Sequence, residues 1–253
     1  MIQDSEEKYI NDIKQKAQLY GVTISDSEAR DLLRHLDLVI EANKSVNLTR
    51  ITSVLDGINL HIVDSLLYIA ADLSMRESRG RLLDIGTGAG YPGIPIDICS
   101  SVNVTMIDSV GKKVRVLQSF VDELGLDSKS ECIKSRAEEL ALKQFSSFEY
   151  VTARAVAQLS TLIEYATPFL MKNGKAIFSK GRMSDDEIEH AQITAKICGM
   201  KLVSRETFEL PEESGHRELL TYVRERDSKV NLPRRNGLAK SEPLYLKHHQ
   251  RFT

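Results

Sequence analysis

Along the first 75 residues, apolar side chains recur at three- and four-residue steps. Ile10, Ile13, Ala17 and Tyr20 form one series, and Leu32, Leu33, Leu36, Val39 and Ile40 form the next. That spacing puts each series on one face of a helix. Ser25, with Glu28 three residues on, matches a capping box and predicts where the second helix opens. A polar stretch at 43–52 reads as loop, and a further helical series runs through Ile62, Leu66, Leu67 and Ile69.

From Arg81 the period changes. Short β-rich runs at 82–85, 102–107, 131–134, 150–152, 175–178, 202–208 and 219–223 alternate with helix-length stretches such as 112–124 and 159–171. Such alternation predicts an α/β fold, a mostly parallel seven-stranded sheet with helices on both faces. The last two runs are joined by a segment holding Pro211 and Gly215, too short for a crossover helix, so the final strand is expected to return antiparallel. The expected division is an N-terminal helical extension over 1–75, an α/β domain over 76–226 and a C-terminal tail over 227–253.

Composition adds bounds. The chain has 253 residues, 42% of them hydrophobic, enough core for one domain plus an extension. Its start, Met1-Ile2-Gln3-Asp4-Ser5-Glu6-Glu7, lacks a basic segment followed by an apolar one. No segment is expected to approach the roughly 20 apolar residues that span a bilayer, which points to a cytoplasmic protein without a membrane partner. Cys99, Cys132 and Cys198 are an odd number, widely spaced, without Cys-x-x-Cys or a histidine at ligand spacing. Buried free thiols are expected, with no metal site and no disulfide framework. The formal net charge of −2 hides a basic end: from Arg224 to Thr253 there are eight Lys/Arg against three Asp/Glu. A solvated terminus and a set of phosphate contacts both fit that charge.

The stretch "LLDIGTGAGYPGIPI" at 82–96 follows the first predicted strand. Gly86, Gly88 and Gly90 remove the Cβ atoms that hold a backbone away from a ligand, although a tight turn explains a lone glycine motif equally well. Asp108 ends the second strand 22 residues after Gly86, where a carboxylate accepts hydrogen bonds from ribose hydroxyls. Together they point to a nucleoside. Tyr91-Pro92-Gly93-Ile94-Pro95 delays the helix that a pyrophosphate needs, and Asp84 repels a pyrophosphate but suits an amino-acid ammonium. S-adenosylmethionine, with an ammonium and a ribose but no phosphate, fits better than a dinucleotide.

With "MIDSVGKKVRVL" at 106–117, "SRAEEL" at 135–140, "TARAVAQL" at 152–159 and "FSKGR" at 178–182 in that order, the chain resembles the bacterial 16S ribosomal RNA guanine-7-methyltransferase family, also called glucose-inhibited division protein B. "VNLTRI" at 46–51, "HIVDSL" at 61–66 and "ESGHREL" at 213–219 extend the likeness over roughly 30–225. The resemblance implies a Rossmann-like methyltransferase sheet, S-adenosylmethionine as cofactor, and 16S ribosomal RNA of the small subunit as substrate; a monomer is expected, although nothing in the sequence fixes the oligomeric state. It also implies cofactor contacts at Gly86, Tyr91, Ala137, Glu138 and Arg154. Tyr91 stands where the family more often has Leu or Phe, and its hydroxyl is unexplained.

Arg154, between Ala153 and Ala155 at the end of the fourth run, is the expected catalytic residue, where donor and acceptor meet; a surface salt bridge is its other reading. Lys112, Lys113, Arg115, Arg136, Lys180 and Arg182 are candidate RNA-phosphate contacts as well as ordinary solvated charges. His61 and Asp64 read as a structural pair and receive no chemistry. The sequence after the fourth run, Thr152-Ala153-Arg154-Ala155, lacks the Asn-Pro-Pro-Tyr type of proton acceptor, and no cysteine follows a proline. A ring nitrogen with its own lone pair therefore suits the chain better than an exocyclic amine or a ring carbon. A methyltransferase of another substrate and a non-catalytic RNA-binding assembly factor remain the alternatives, with a nicotinamide dehydrogenase sharing only the glycines and the acidic ribose contact.

Overall fold

A computed structural model describes residues 2–249; Met1 and residues 250–253 of the basic tail lie outside the described residues. The first two apolar series form α1 (Ile2–Gln18) and α2 (Asp26–Asn43). Ser25 caps α2 as expected: its hydroxyl accepts the Glu28 N–H at 3.1 Å, and the Glu28 carboxylate accepts the Ser25 N–H at 2.6 Å. The third series becomes a nearly continuous rod, α3 (Val54–Gly57), a π-helical turn at Ile58–Val63 and α4 (Asp64–Ala71). Contrary to the expectation from sequence, these 18 residues are long and apolar enough to cross a membrane by length and composition; 67% of the stretch is buried inside this fold. The reason is its position between α1 and α2 on one side and the sheet on the other, which demands apolar side chains nearly all round.

The strands are β1 (Arg81–Ile85), β2 (Asn103–Asp108), β3 (Ser130–Lys134), β4 (Phe148–Arg154), β5 (Leu170–Lys180), β6 (Met200–Leu210) and β7 (Gly215–Arg224). They form one seven-stranded sheet in the order β3-β2-β1-β4-β5-β7-β6. Pairings among β1 to β5 are parallel, and β7 inserts antiparallel between β5 and β6. The interleaved helices are α5 (Gly93–Ile98), α6 (Gly111–Glu123), α7 (Ala137–Ala141), α8 (Leu159–Ala166) and α9 (Asp185–Cys198). The helix expected over 159–171 stops at Ala166, because Phe169 and Leu170, both buried, already belong to the approach to β5, and Leu170 pairs with Phe148. A short apolar run does not distinguish a buried strand from a buried helix.

Alternate strand residues serve opposite faces. Leu82, Val104, Met106 and Tyr150 pack with α1, α2 and the 54–71 rod, whereas Leu83, Ile107, Val151 and Phe178 pack with α8 and α9. Cys99 and Cys198 are buried and Cys132 half-buried, and burial raises all three thiols. After β7 the chain turns back through α10 (Leu238–Ser241) and α11 (Leu244–His249) onto α8 and α9, burying Ala239 and Leu244. Successive strands are added on opposite sides of β1, first β2 and β3, then β4 and β5, so the loops leaving β1 and β4 diverge and open a crevice.

Candidate active site at the carboxyl ends of the strands

Two clefts open at that crevice, on either side of the chain leaving β4: Arg154 and Ala155 line one and Val156 the other. The smaller, about 120 Å³, brings together Gly86, Asp108, Arg136, Ala137 and Glu138 with Val156, Tyr165 and Lys240. Gly86 has φ +70°, and a Cβ there would lie 2.6 Å from Val156 Cγ2. Gly88, outside the lining of both clefts, has φ +61°, and a Cβ there would meet only the Gly86 carbonyl oxygen, at 4.0 Å. Gly90 serves packing, since its Cβ would strike Ile94 at 2.6 Å. Asp108 is 8% exposed and accepts the Val110 N–H at 2.8 Å through Oδ1. Glu138 accepts the Gly237 N–H at 2.9 Å.

Asp84 does not offer itself to an ammonium. It is fully buried, accepting the Gly93 N–H and the Thr152 hydroxyl, each at 3.0 Å, and so ties the glycine loop to β4. Burial pushes its carboxyl up to about 6. Tyr91 lines neither cleft. It lies under the second, between His35 and His61, its ring stacked 4.4 Å from His61 and 5.3 Å from the Arg154 guanidinium carbon. Its hydroxyl is buried without a hydrogen-bond partner among the described residues.

The second cleft, about 350 Å³, is built around a charged network. Arg154 donates to the Leu60 carbonyl at 3.0 Å, to Asp64 Oδ2 at 3.1 Å and to His61 Nδ1 at 3.3 Å. Asp64, whose side chain is 3% exposed, also accepts from Arg217 Nε at 3.0 Å. The π-helical turn carries both Leu60 and His61, and so presents a carbonyl and an imidazole to the same guanidinium. Since a guanidinium only donates, His61 Nδ1 accepts, and Nε2 carries the proton donated to Thr49 Oγ1 at 2.9 Å. Burial, then Arg154 and His35, lower the His61 pKa to about 3, so the imidazole is neutral at physiological pH.

Among the expected RNA contacts, Lys180 lines this cleft, tied to the Ala157 carbonyl at 3.1 Å and Glu187 at 2.8 Å, and Arg136 lines the first. Lys112 donates to the Ser45 carbonyl at 3.0 Å, and Lys113, Arg115 and the 80% exposed side chain of Arg182 lie outside both clefts. Thr49, Tyr165, Arg217 and Lys240 were not expected at the clefts, and His61 and Asp64, expected as a structural pair with each other, both bond Arg154 instead. A signal existed for four of them: "VNLTRI", "HIVDSL" and "ESGHREL" carry Thr49, His61, Asp64 and Arg217.

Among solved structures, the fold is similar to YcgJ from Bacillus subtilis (TM-score 0.51, 15% identity, 66% of this chain and 100% of that one). It is similar too to an S-adenosylmethionine-dependent methyltransferase from Methanosarcina mazei (TM-score 0.50, 14% identity, 60% and 95%). The family model GidB, rRNA small subunit methyltransferase G, matches residues 28–218. Proteins called ribosomal RNA small subunit methyltransferase G from Alkaliphilus metalliredigens and Pelotomaculum thermopropionicum are 32% and 35% identical, each over 92% of this chain and 97% of its own length. The chain therefore belongs to the GidB family, the S-adenosylmethionine-dependent rRNA small subunit methyltransferases G.

Proposed function

We propose that this protein makes 7-methylguanosine in 16S ribosomal RNA, with the first cleft holding the cofactor and the second the target base. S-adenosylmethionine, when bound, supplies a methyl group activated on a sulfonium. Gly86 and Gly88 give its backbone-lined cradle, with Gly90 keeping the loop in shape. Asp108 accepts the ribose hydroxyls through the oxygen that Val110 leaves unused, and Ala137 and Glu138 hold the adenine edge. Arg136 and Lys180 at the two clefts, with Lys112, Lys113, Arg115 and Arg182 farther out, grip phosphates around the target. Tyr91 supports Arg154 from below. Residues 76–226 carry the methyltransferase unit, 1–75 cover one sheet face, and 227–253 form the basic tail. A cytoplasmic monomer without a membrane partner suits a ribosomal substrate.

Guanine N7 already presents a lone pair, so no residue has to remove a proton. The fixed network around Arg154 carries this reading. Three acceptors hold the Nη1 and Nη2 edge of its guanidinium, and the remaining N–H groups orient the base, a carbonyl acceptor on guanine being the natural partner. Neutral His61 accepts from Arg154 and so helps to hold the guanidinium in place. Holding the reacting nitrogen about 3 Å from the methyl carbon supplies several kcal/mol of barrier lowering. The target base must leave its stack, which looped RNA permits at low cost. Labelled S-adenosylmethionine incubated with unmethylated small subunits or naked 16S RNA tests the proposal by nucleoside analysis; any product other than 7-methylguanosine overturns it.

A further inference from the structure

One residue lining the first cleft, Lys240, comes from the far end of the chain. Arg234 pairs with Glu164 of α8 through two hydrogen bonds of 2.7 Å, Nε to Oε1 and Nη2 to Oε2, and the two side chains are only 10% and 5% exposed. The same guanidinium donates to the Glu242 carbonyl at 2.9 Å and the Leu238 carbonyl at 3.3 Å. It therefore closes residues 234–242 into a turn and pins that turn to α8. From this anchored turn the Gly237 N–H reaches Glu138 at 2.9 Å, and the Asn236 amide reaches Glu139 at 2.6 Å. Buried Ala239, whose carbonyl accepts from Thr161 at 3.4 Å, completes the fit against α8. Lys240 is brought to the cleft that Asp108 and Glu138 line. Among the described residues its ammonium has no hydrogen-bond or ion-pair partner, although Glu164, Glu139 and Glu138 all lie on the surface this turn covers.

We propose that residues 234–242 are the outer wall of the adenosyl pocket and that Lys240 is a cofactor-binding residue, donating to an acceptor of the adenosyl moiety. The chemistry is specific: an ammonium has only donors, and adenine ring nitrogens and ribose oxygens are the acceptors this half of the cofactor offers. The Gly237 N–H has a second role, fixing the Glu138 carboxylate so that its other lone pairs face the adenine edge. Arg234 acts one step removed, as a positioning residue. The inference rests on reading the first cleft as the cofactor site.

Calorimetric titration of the full chain tests it with two probes, S-adenosylhomocysteine and methylthioadenosine, which retains the adenosyl half but not the amino acid. Lys240→Ala is expected to weaken both by at least fivefold and by the same factor, while Lys229→Ala, the same loss of charge elsewhere on the tail, stays within twofold of wild type. Lys240→Arg, which keeps the donors, recovers most of the loss. In the unaltered protein, hydrogen exchange of the 236–241 amides slows when S-adenosylhomocysteine binds. Lys240→Ala affinities within twofold of wild type, or exchange that does not respond, overturn the proposal. Asp108→Asn separates the two readings. If it weakens binding tenfold while Lys240→Ala does not, the wall alone fails; if neither variant matters, the first cleft is not the cofactor site and both readings fall.

Discussion

Arg154 is oriented before any substrate arrives, by a carbonyl, a carboxylate and an imidazole on one π-helical turn and the helix after it. Arg154→Ala should cut methyl transfer at least tenfold with circular dichroism unchanged; near-normal turnover removes the residue from the site. Asp64 keeps Arg217, so the stability loss should be about 1–3 kcal/mol in chemical denaturation rather than the larger cost of a wholly unpaired buried carboxylate. Arg154→Lys keeps the charge, but one ammonium does not span all three acceptors, and less than a third of the rate should return. Gly88→Val tests the cradle: its Cβ meets open space, so the fold survives at about 1–2 kcal/mol for the left-handed backbone, while S-adenosylhomocysteine binding is lost. Retained tight binding refutes the close approach. His61 gives the pH test. Its folded pKa, about 3, lies below the ordinary 6.5, so its contribution to stability is complete above pH 6.5 and is lost as pH falls toward 3, when the unfolded chain takes up the proton. Its ring nitrogens should show no titration by NMR between pH 5 and 8, and a midpoint near 6.5 contradicts the buried, Arg154-facing geometry.

At the scale of elements, local signals were legible where they were self-contained. The Ser25–Glu28 box needs only four residues, and it opens α2 as the sequence indicates. Ser25→Ala should lower stability by about 1 kcal/mol, a fall in Tm of about 2–4 °C for a chain of this size; an unchanged Tm shows that packing alone holds the helix start. The β6–β7 hairpin followed from the short link containing Pro211. The helix expected to reach 171 ended at Ala166, since Phe169 and Leu170 are apolar in either element and only the pairing with β4 decides between them. The π-helical turn was invisible for a related reason: its residues keep the apolar pattern of an ordinary helix.

At the scale of the molecule, Ile10, Leu36 and Leu66 share one core cluster with Leu82, Val104 and Ile177 of the sheet. Because that layer shares its apolar core with the sheet, the chain should unfold in one calorimetric transition with equal calorimetric and van't Hoff enthalpies. Two separated transitions would show that residues 1–75 hold together alone. The tail illustrates the same dependence in reverse. Its charge fitted both a solvated end and a set of phosphate contacts, and the fold instead pairs half-buried Arg234 with Glu164, a partner 70 positions away that composition does not reveal.

The sequence by itself determined the alternation of strands and helices, the antiparallel last strand and the family, and it singled out Gly86, Asp108, Ala137 and Glu138, which the fold gathers in the first cleft. These sit within a few positions of strand ends, and in a parallel sheet strand ends converge on one edge. Only the tertiary structure decided that Tyr91 lies beneath the second cleft, that the Asp84 carboxylate is taken up by Gly93 and Thr152, that His61 and Asp64 join Arg154 and Arg217, and that Lys240 reaches the first cleft. Each of those is a contact between segments distant in the chain, and the direction of a side chain there is set by burial and by the partner it meets, neither of which is a property of the local sequence.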